Sequence, residues 1–171
     1  RPSEEFMSLV QKPAPDFKAA AVMPNGETAQ LTLSSFKGKY VILFFYPFDF
    51  TFVCPTEVLA FSNHIEDFQK RGVEVLGCSI DSPHVHRAWR DTKVENGGIG
   101  PIKYPLVADV NKDIARSYGV LLEGGMALRG KTNPDSSTEG SIIKNANCMA
   151  CNWVCASVET SSPKPSVHTR N

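Results

Sequence analysis

The chain has 171 residues, enough to bury one sizeable core and too few for two comfortable domains. Its 18 basic and 18 acidic residues cancel, which favours neither nucleic acid nor an anionic membrane as a partner. The longest apolar run, Tyr40 to Tyr46, is strand-sized, so no segment reads as a transmembrane helix.

The sequence opens on Arg1 rather than Met and shows no secretory leader, so an address carried by a clipped N-terminus would not be visible. Five cysteines, Cys54, Cys78, Cys148, Cys151 and Cys155, make an odd set. That argues against a fully paired secreted framework and for a cytoplasmic protein, or an organellar one, with reactive thiols.

Residues 1–15, broken by Pro2, Pro13 and Pro15, read as a polar arm. Asp16 to Val22 and Thr28 to Leu33 flank Pro24-Asn25-Gly26, and Asn-Gly is a strong hairpin signal. Ser34-Ser35 opens a short helix that ends at Gly38. Tyr40 to Tyr46 is a buried strand, stopped by Pro47, which has no N–H for a ladder. An aromatic loop follows, and then a helix with Cys54 in or just before its first turn and Pro55 suited to the first helical position. Val58, Phe61, Ile65 and Phe68, spaced 3, 4 and 3, make its apolar face, and Gly72 ends it.

Val73 to Ile80 is a second buried strand, and Cys78 within it reads as core packing. Ser82-Pro83 caps a helix with Val85, Ala88 and Trp89 on one face. His84 and His86, two apart, do not face each other on a helix, so a metal site is not expected and both are read as solvated. His64, on the polar side of the first helix, has the same reading. Glu95 to Pro101 is Gly-rich but lacks both the P-loop and the G-x-G-x-x-G patterns, so it is not read as a phosphate cradle. Tyr104 to Ala108 is a strand, Asp109 or Asn111 caps a helix containing Ile114, Ala115 and Tyr118, and Gly119 closes it. Val120 to Leu122 and Met126 to Leu128 are short strands around Gly124-Gly125. Strands alternating with helices predict an α/β sheet covered on both faces.

Cys54 is the residue around which chemistry gathers. Most lone cysteines are small buried hydrophobes. This one stands at a strand-to-helix junction, against the positive end of a helix dipole, a setting that raises the thiolate fraction. Thr51 is near enough to meet the sulfur or a polar ligand, Pro47 can wall the sulfur from water, and Glu57, one turn on, can orient a cation.

Pro47-x-x-x-Thr51-x-x-Cys54, inside FFYPFDFTFVCPTE, resembles the peroxidatic motif of the peroxiredoxins, specifically the typical two-cysteine subfamily. The likeness continues through Phe61-Ser62-Asn63, Glu74-Val75-Leu76-Gly77, Asp81-Ser82, Trp89, Gly97 to Pro101, Leu106 to Asp109 and Ala127-Leu128-Arg129-Gly130, covering residues 7 to 130. It implies a thioredoxin-like fold with an N-terminal hairpin. It implies a thiol peroxidase with Cys54 as the peroxidatic cysteine, Thr51, Pro47 and Arg129 as its catalytic surround, and Glu57 and Trp89 as positioning residues. Hydrogen peroxide and organic hydroperoxides are the implied substrates, and a thioredoxin-like protein or small thiol the implied reductant. A homodimer is implied, with Phe48, Phe50 and Trp89 available to an interface. No metal or organic cofactor is called for.

The resemblance stops at Gly130, which divides the chain into a domain over 1–130 and an atypical tail over 131–171. Lys131 to Ser137 has no apolar residue and cannot be the core strand that follows Arg-Gly in the family. The expected sheet therefore lacks its last core strand and helix, leaving an edge that is exposed or covered by other means, and assembly weaker than the family's. The tail's Cys148-x-x-Cys151, Cys155 and His168 allow a zinc site, a Cys-x-x-Cys redox pair, a resolving cysteine, or no chemistry. Of the three cysteines, Cys155 in Trp153-Val154-Cys155 best matches the family's resolving segment, although Ala156 replaces its proline. A non-catalytic chaperone-like or scaffold protein, or a disulfide oxidoreductase using Cys148 and Cys151, are the alternatives to a peroxidase.

Overall fold

The computed structural model describes residues 14–51, 54–127 and 154–157, with residues 54 and 154–157 as backbone. Residues 1–13 of the expected arm lie outside them.

The hairpin forms where Asn-Gly predicts it. β1 (Lys18–Val22) and β2 (Thr28–Thr32) run antiparallel, with Lys18 opposite Thr32 and Val22 opposite Thr28. Gly26 turns the chain at a φ of 86°, a conformation that costs glycine little. A 3-10 turn over Leu33–Phe36 leads to β3 (Tyr40–Phe45).

After the Cys54 loop come α1 (Cys54–Asn63), α2 (Ile65–Lys70), β4 (Val73–Ser79), α3 (Pro83–Asp91), β5 (Leu106–Ala108) and α4 (Asp113–Ser117). The single helix expected from Cys54 to Gly72 is two, broken at His64. The break keeps one apolar face: Val58, Phe61 and Ile65 are buried on the same side and Phe68 packs against them. β5 starts only at Leu106, because Pro105 has no N–H to give the ladder. Asp109 caps α4 as expected, its two carboxylate oxygens accepting from the N–H groups of Ile114 (3.0 Å) and Ala115 (2.7 Å).

The described strands make a six-stranded sheet in the order β2-β1-β5-β4-β3-β6. β3, β4 and β5 are parallel neighbours, and β1 joins β5 antiparallel. Alternation on β3 serves two cores. Val41, Leu43 and Phe45 pack with Leu76, Val107 and α4 residues Ile114 and Ala115. Ile42, Phe44 and Tyr46 pack with Val58, Phe61, Ile65 and Trp89 from α1, α2 and α3. Both sheet faces are thus covered, as the alternation of elements predicts.

Of the two outcomes expected at the β3 edge, exposed or covered by other means, the described residues show the covered one. β6 (Val154–Ser157) comes from the tail and pairs antiparallel with β3, Leu43 opposite Val154 and Tyr40 opposite Ser157. The edge is covered by a segment 24 residues beyond Gly130. Only four residues pair, within Ser/Thr/Asn-rich surroundings, too short a run to read as a strand by alternation.

Candidate active site

The site begins where β3 ends. Tyr46 still gives its backbone N–H to Cys78 O (3.1 Å), and Pro47 then breaks the ladder. The chain turns through Asp49 and Phe50, and α1 begins at Cys54. The expected junction is therefore present: a cysteine at a helix start, off the carboxyl end of a buried parallel strand. Phe50 takes a φ of 56°, left-handed for a bulky aromatic residue and about 1–3 kcal/mol uphill.

A buried polar cluster holds this turn. Asp49 Oδ1 accepts from the Tyr46 hydroxyl (2.9 Å), and Asp49 Oδ2 lies 2.7 Å from His86 Nδ1. The Asp49 backbone N–H donates to Asp81 Oδ2 (2.9 Å), which also accepts from the Ser79 hydroxyl (2.7 Å). His86 Nε2 lies 3.2 Å from Val107 O. Burial raises the Asp49 carboxyl above its ordinary range, and the His86 bond works against that rise. Burial also pushes the Tyr46 hydroxyl well up.

The cluster corrects the reading of His86 as solvated. Its side chain is 0% exposed, while His84 and His64 are exposed as expected. The buried stripe of α3 is His86 with Trp89, spaced i and i+3, and Ala88 faces out instead. A histidine with both ring nitrogens bonded can be buried like an apolar residue. Sequence reasoning missed Asp49 as well. The available signal was a lone carboxylate between Phe48 and Phe50, which needs a partner if the loop is buried.

The other expected residues are placed as follows. Pro47 is half-buried in the loop. The Thr51 hydroxyl donates to Phe48 O (3.1 Å), so toward a ligand its oxygen remains as an acceptor. Glu57 is half-buried, and its Oε1 is buried with no hydrogen-bond partner among the described residues. Trp89 is buried under the loop, its ring centroid 6.1 Å from Phe50 and 5.8 Å from Tyr46. At 0% exposed, Trp89 cannot itself meet a partner subunit; Phe50, half exposed, stands over it. Cys78 is core as expected, with burial holding its thiol well above the usual range.

The AhpC/TSA family profile matches residues 10–136, which takes in every element from β1 to α4 and the whole Cys54 loop. The chain belongs to the AhpC/TSA family, the peroxiredoxins. It is 57% identical over 122 residues to peroxiredoxin-2 of Pongo abelii, covering 71% of this chain and 68% of that protein. It is 56% identical over 122 residues to peroxiredoxin-2 of Cricetulus griseus, where the match spans 61% of that protein's length. Among solved structures it resembles the reduced 2-Cys peroxiredoxin of Plasmodium vivax, with a TM-score of 0.70 and 45% identity over 71% of this chain and 64% of that one. It also resembles Plasmodium yoelii thioredoxin peroxidase I, with a TM-score of 0.67 and 50% identity over 69% of this chain and 68% of that one. The fold is thus the thioredoxin-like one expected of a peroxiredoxin.

Several residues named from the sequence lie outside the described residues: Arg129, Cys148, Cys151 and His168. Cys155 is described as backbone, within β6 and in register with Ile42. Among the described residues no group of three or more His, Cys, Asp or Glu could hold a metal ion, and no helix is long and apolar enough to cross a membrane.

Proposed function

We propose that this chain is a thiol peroxidase. The observation that carries the reading is the start of α1 at Cys54, off the carboxyl end of β3, in a loop holding Pro47 and Thr51. The Cys54 thiolate attacks one oxygen of the peroxide, an S–O bond forms as the O–O bond breaks, and the departing oxygen leaves with a proton as water or alcohol. Cys54 is left as a sulfenic acid, a reversible rung of thiol oxidation. The α1 dipole favours the thiolate, and Thr51 Oγ1 accepts a hydrogen bond from the peroxide. Arg129 supplies the cation that stabilises charge on the breaking bond, and Glu57, whose Oε1 is buried without a partner among the described residues, is available to orient a cation. Trp89 backs the loop as a positioning residue. No metal or organic cofactor enters these steps.

The sulfenic acid is then reduced by a thiol. Cys155 of a second copy is the proposed resolving cysteine, and a thioredoxin-like protein or small thiol regenerates both. Residues 1–130 act as the peroxidase domain, and 131–171 as a tail that contributes β6. In a homodimer Cys155 of one copy reaches Cys54 of the other once β6 leaves β3 or the partner's loop opens, with Phe48 and Phe50 free to support the contact. A cytoplasmic or organellar compartment keeps such thiols reduced. The scaffold and chaperone-like alternative, which rests on the atypical C-terminal third, is not better supported than the peroxidase.

The test is peroxide consumption driven by dithiothreitol or thioredoxin. The parent protein turns over and Cys54→Ser does not. A Cys54→Ser protein that consumes peroxide at the parent rate overturns the reading.

A further inference from the structure

We propose that Asp49 and His86 are a positioning pair for the peroxide step, holding the Pro47–Cys54 loop in its reactive shape without touching substrate. The inference rests on the peroxidase reading and names residues that the reading does not use.

Both side chains are 0% exposed, so neither meets solvent or peroxide. Asp49 lies midway between Pro47 and Thr51, and each of its polar groups that faces the core is engaged. One oxygen accepts from Tyr46 at the end of β3, the other meets His86 on α3, and the backbone N–H is held by Asp81 beyond β4. His86 reaches on to Val107 O of β5. Asp49 is thereby tied directly to the ends of β3 and β4 and to α3, and through His86 to β5. The next residue, Phe50, is the left-handed one. Such a conformation persists only where its surroundings over-determine it, and the Asp49 cluster is that surrounding. Thr51, bonded to Phe48 O, follows directly, and α1 with Cys54 three residues later.

The proton count shows that the pair acts by shape. Val107 O can only accept, so His86 Nε2 carries a hydrogen. The 2.7 Å contact from Nδ1 to Asp49 Oδ2 needs one more. Whichever side holds it, the pair has no net charge. An asparagine at 49 can keep the arrangement: its amide nitrogen donates to a bare Nδ1, and its oxygen still accepts from Tyr46.

The experiment measures two rate constants at Cys54, oxidation by hydrogen peroxide and alkylation by iodoacetamide, in the parent and four variants. In Asp49→Ala and His86→Leu, peroxide oxidation falls about 10- to 100-fold, the scale of a reacting group displaced by about 1 Å. Alkylation, which needs no placed Thr51, changes little. Asp49→Asn keeps most of the peroxide rate. Tyr46→Phe removes one bond at constant shape and decides the matter should the first two fail to fold; its peroxide rate falls about fivefold with alkylation again unmoved. Asp49→Ala, His86→Leu or Tyr46→Phe proteins that oxidise at the parent rate overturn the inference. So does a parallel fall of both rates, or an Asp49→Asn protein as slow as Asp49→Ala. A parent protein that does not react with peroxide at Cys54 overturns the peroxidase reading instead.

Discussion

The Trp89 indole N–H donates to the Gly97 carbonyl at 3.0 Å, and this bond seats the glycine-rich loop over the end of α3. The loop's glycines serve packing. A Cβ on Gly98 would stand 1.9 Å from the Thr92 carbonyl oxygen, and Ile99 gives its N–H to Trp89 O at 3.2 Å. Gly98→Ala must therefore move backbone against backbone and is expected to cost about 3 kcal/mol or more. Gly72→Ala is the comparison. Gly72 has a φ of 70° and open space around it, so the cost there is conformational alone, about 1 kcal/mol. Urea midpoints of the two variants are expected in that order.

Stability is expected to fall on the alkaline side. Burial holds Cys78, Tyr46 and Tyr104 protonated well beyond their ordinary ranges in the folded chain. The unfolded chain releases these protons near about pH 8.5 for the thiol and about pH 10 for the phenols. Above those values the unfolded state binds fewer protons, so unfolding is favoured as pH rises. Each group adds a slope of about 1.4 kcal/mol per pH unit once its unfolded form ionises, until its folded form does too. Below about pH 8 both states hold all three protons and the contribution is complete. Urea midpoints between neutral pH and pH 11 report it.

Cys78 and Cys54 are expected to separate cleanly in reactivity. Cys78 is 0% exposed with a raised thiol, so brief iodoacetamide treatment of the folded protein leaves it unmodified while Cys54 reacts. Cys78→Ala retains peroxide consumption and loses about 1 kcal/mol of stability from the small cavity. Peptide mass mapping before and after denaturation checks the first expectation, and chemical unfolding the second.

Removing the proposed cation should shift the thiol's behaviour. In Arg129→Ala the thiolate loses a positive neighbour, so the pH at which Cys54 alkylation reaches half its maximum moves upward. Peroxide oxidation slows at the same time, because charge on the breaking bond is less stabilised. An unmoved alkylation profile means Arg129 serves another role. Glu57→Gln moves the profile in the same direction if Glu57 orients that guanidinium.

One equivalent of peroxide, followed by thiol blocking and non-reducing mapping, is expected to show a Cys54–Cys155 disulfide between chains. Cys155 is paired in register with Ile42, so its approach to another subunit's Cys54 requires β6 to leave β3 or the partner's loop to open. Hydrogen exchange at Val154–Ser157 therefore rises on oxidation in the first case and not in the second. A bridge to Cys148 or Cys151 moves the resolving role within the tail. A persistent Cys54 sulfenic acid with all three tail thiols free means that the chain resolves through an external thiol.

The framework of the fold is legible wherever a local rule suffices. The Val41–Phe45 run is apolar at every position because both of its faces are covered, and Pro47 and Pro55 bracket the loop that follows. Asn25-Gly26 sets the hairpin, and Ser82-Pro83 starts α3 with the Ser82 hydroxyl accepting from Val85 N–H. Cys54, Thr51 and Pro47 can be named from spacing and resemblance because their chemistry depends on a strand, a loop and a helix start adjacent in the chain.

What only the tertiary structure decided are the pairings between distant residues. His86 and Asp49 are 37 residues apart, and nothing local distinguishes His86 from the exposed His84. A buried polar side chain takes its place from the partner that satisfies it, and that partner is brought near only by the packing of α3 against the sheet. The cover on the β3 edge is of the same kind. A four-residue strand has too little pattern to announce itself, and β6 is defined by the row of β3 backbone groups it pairs with, about 110 residues earlier in the chain.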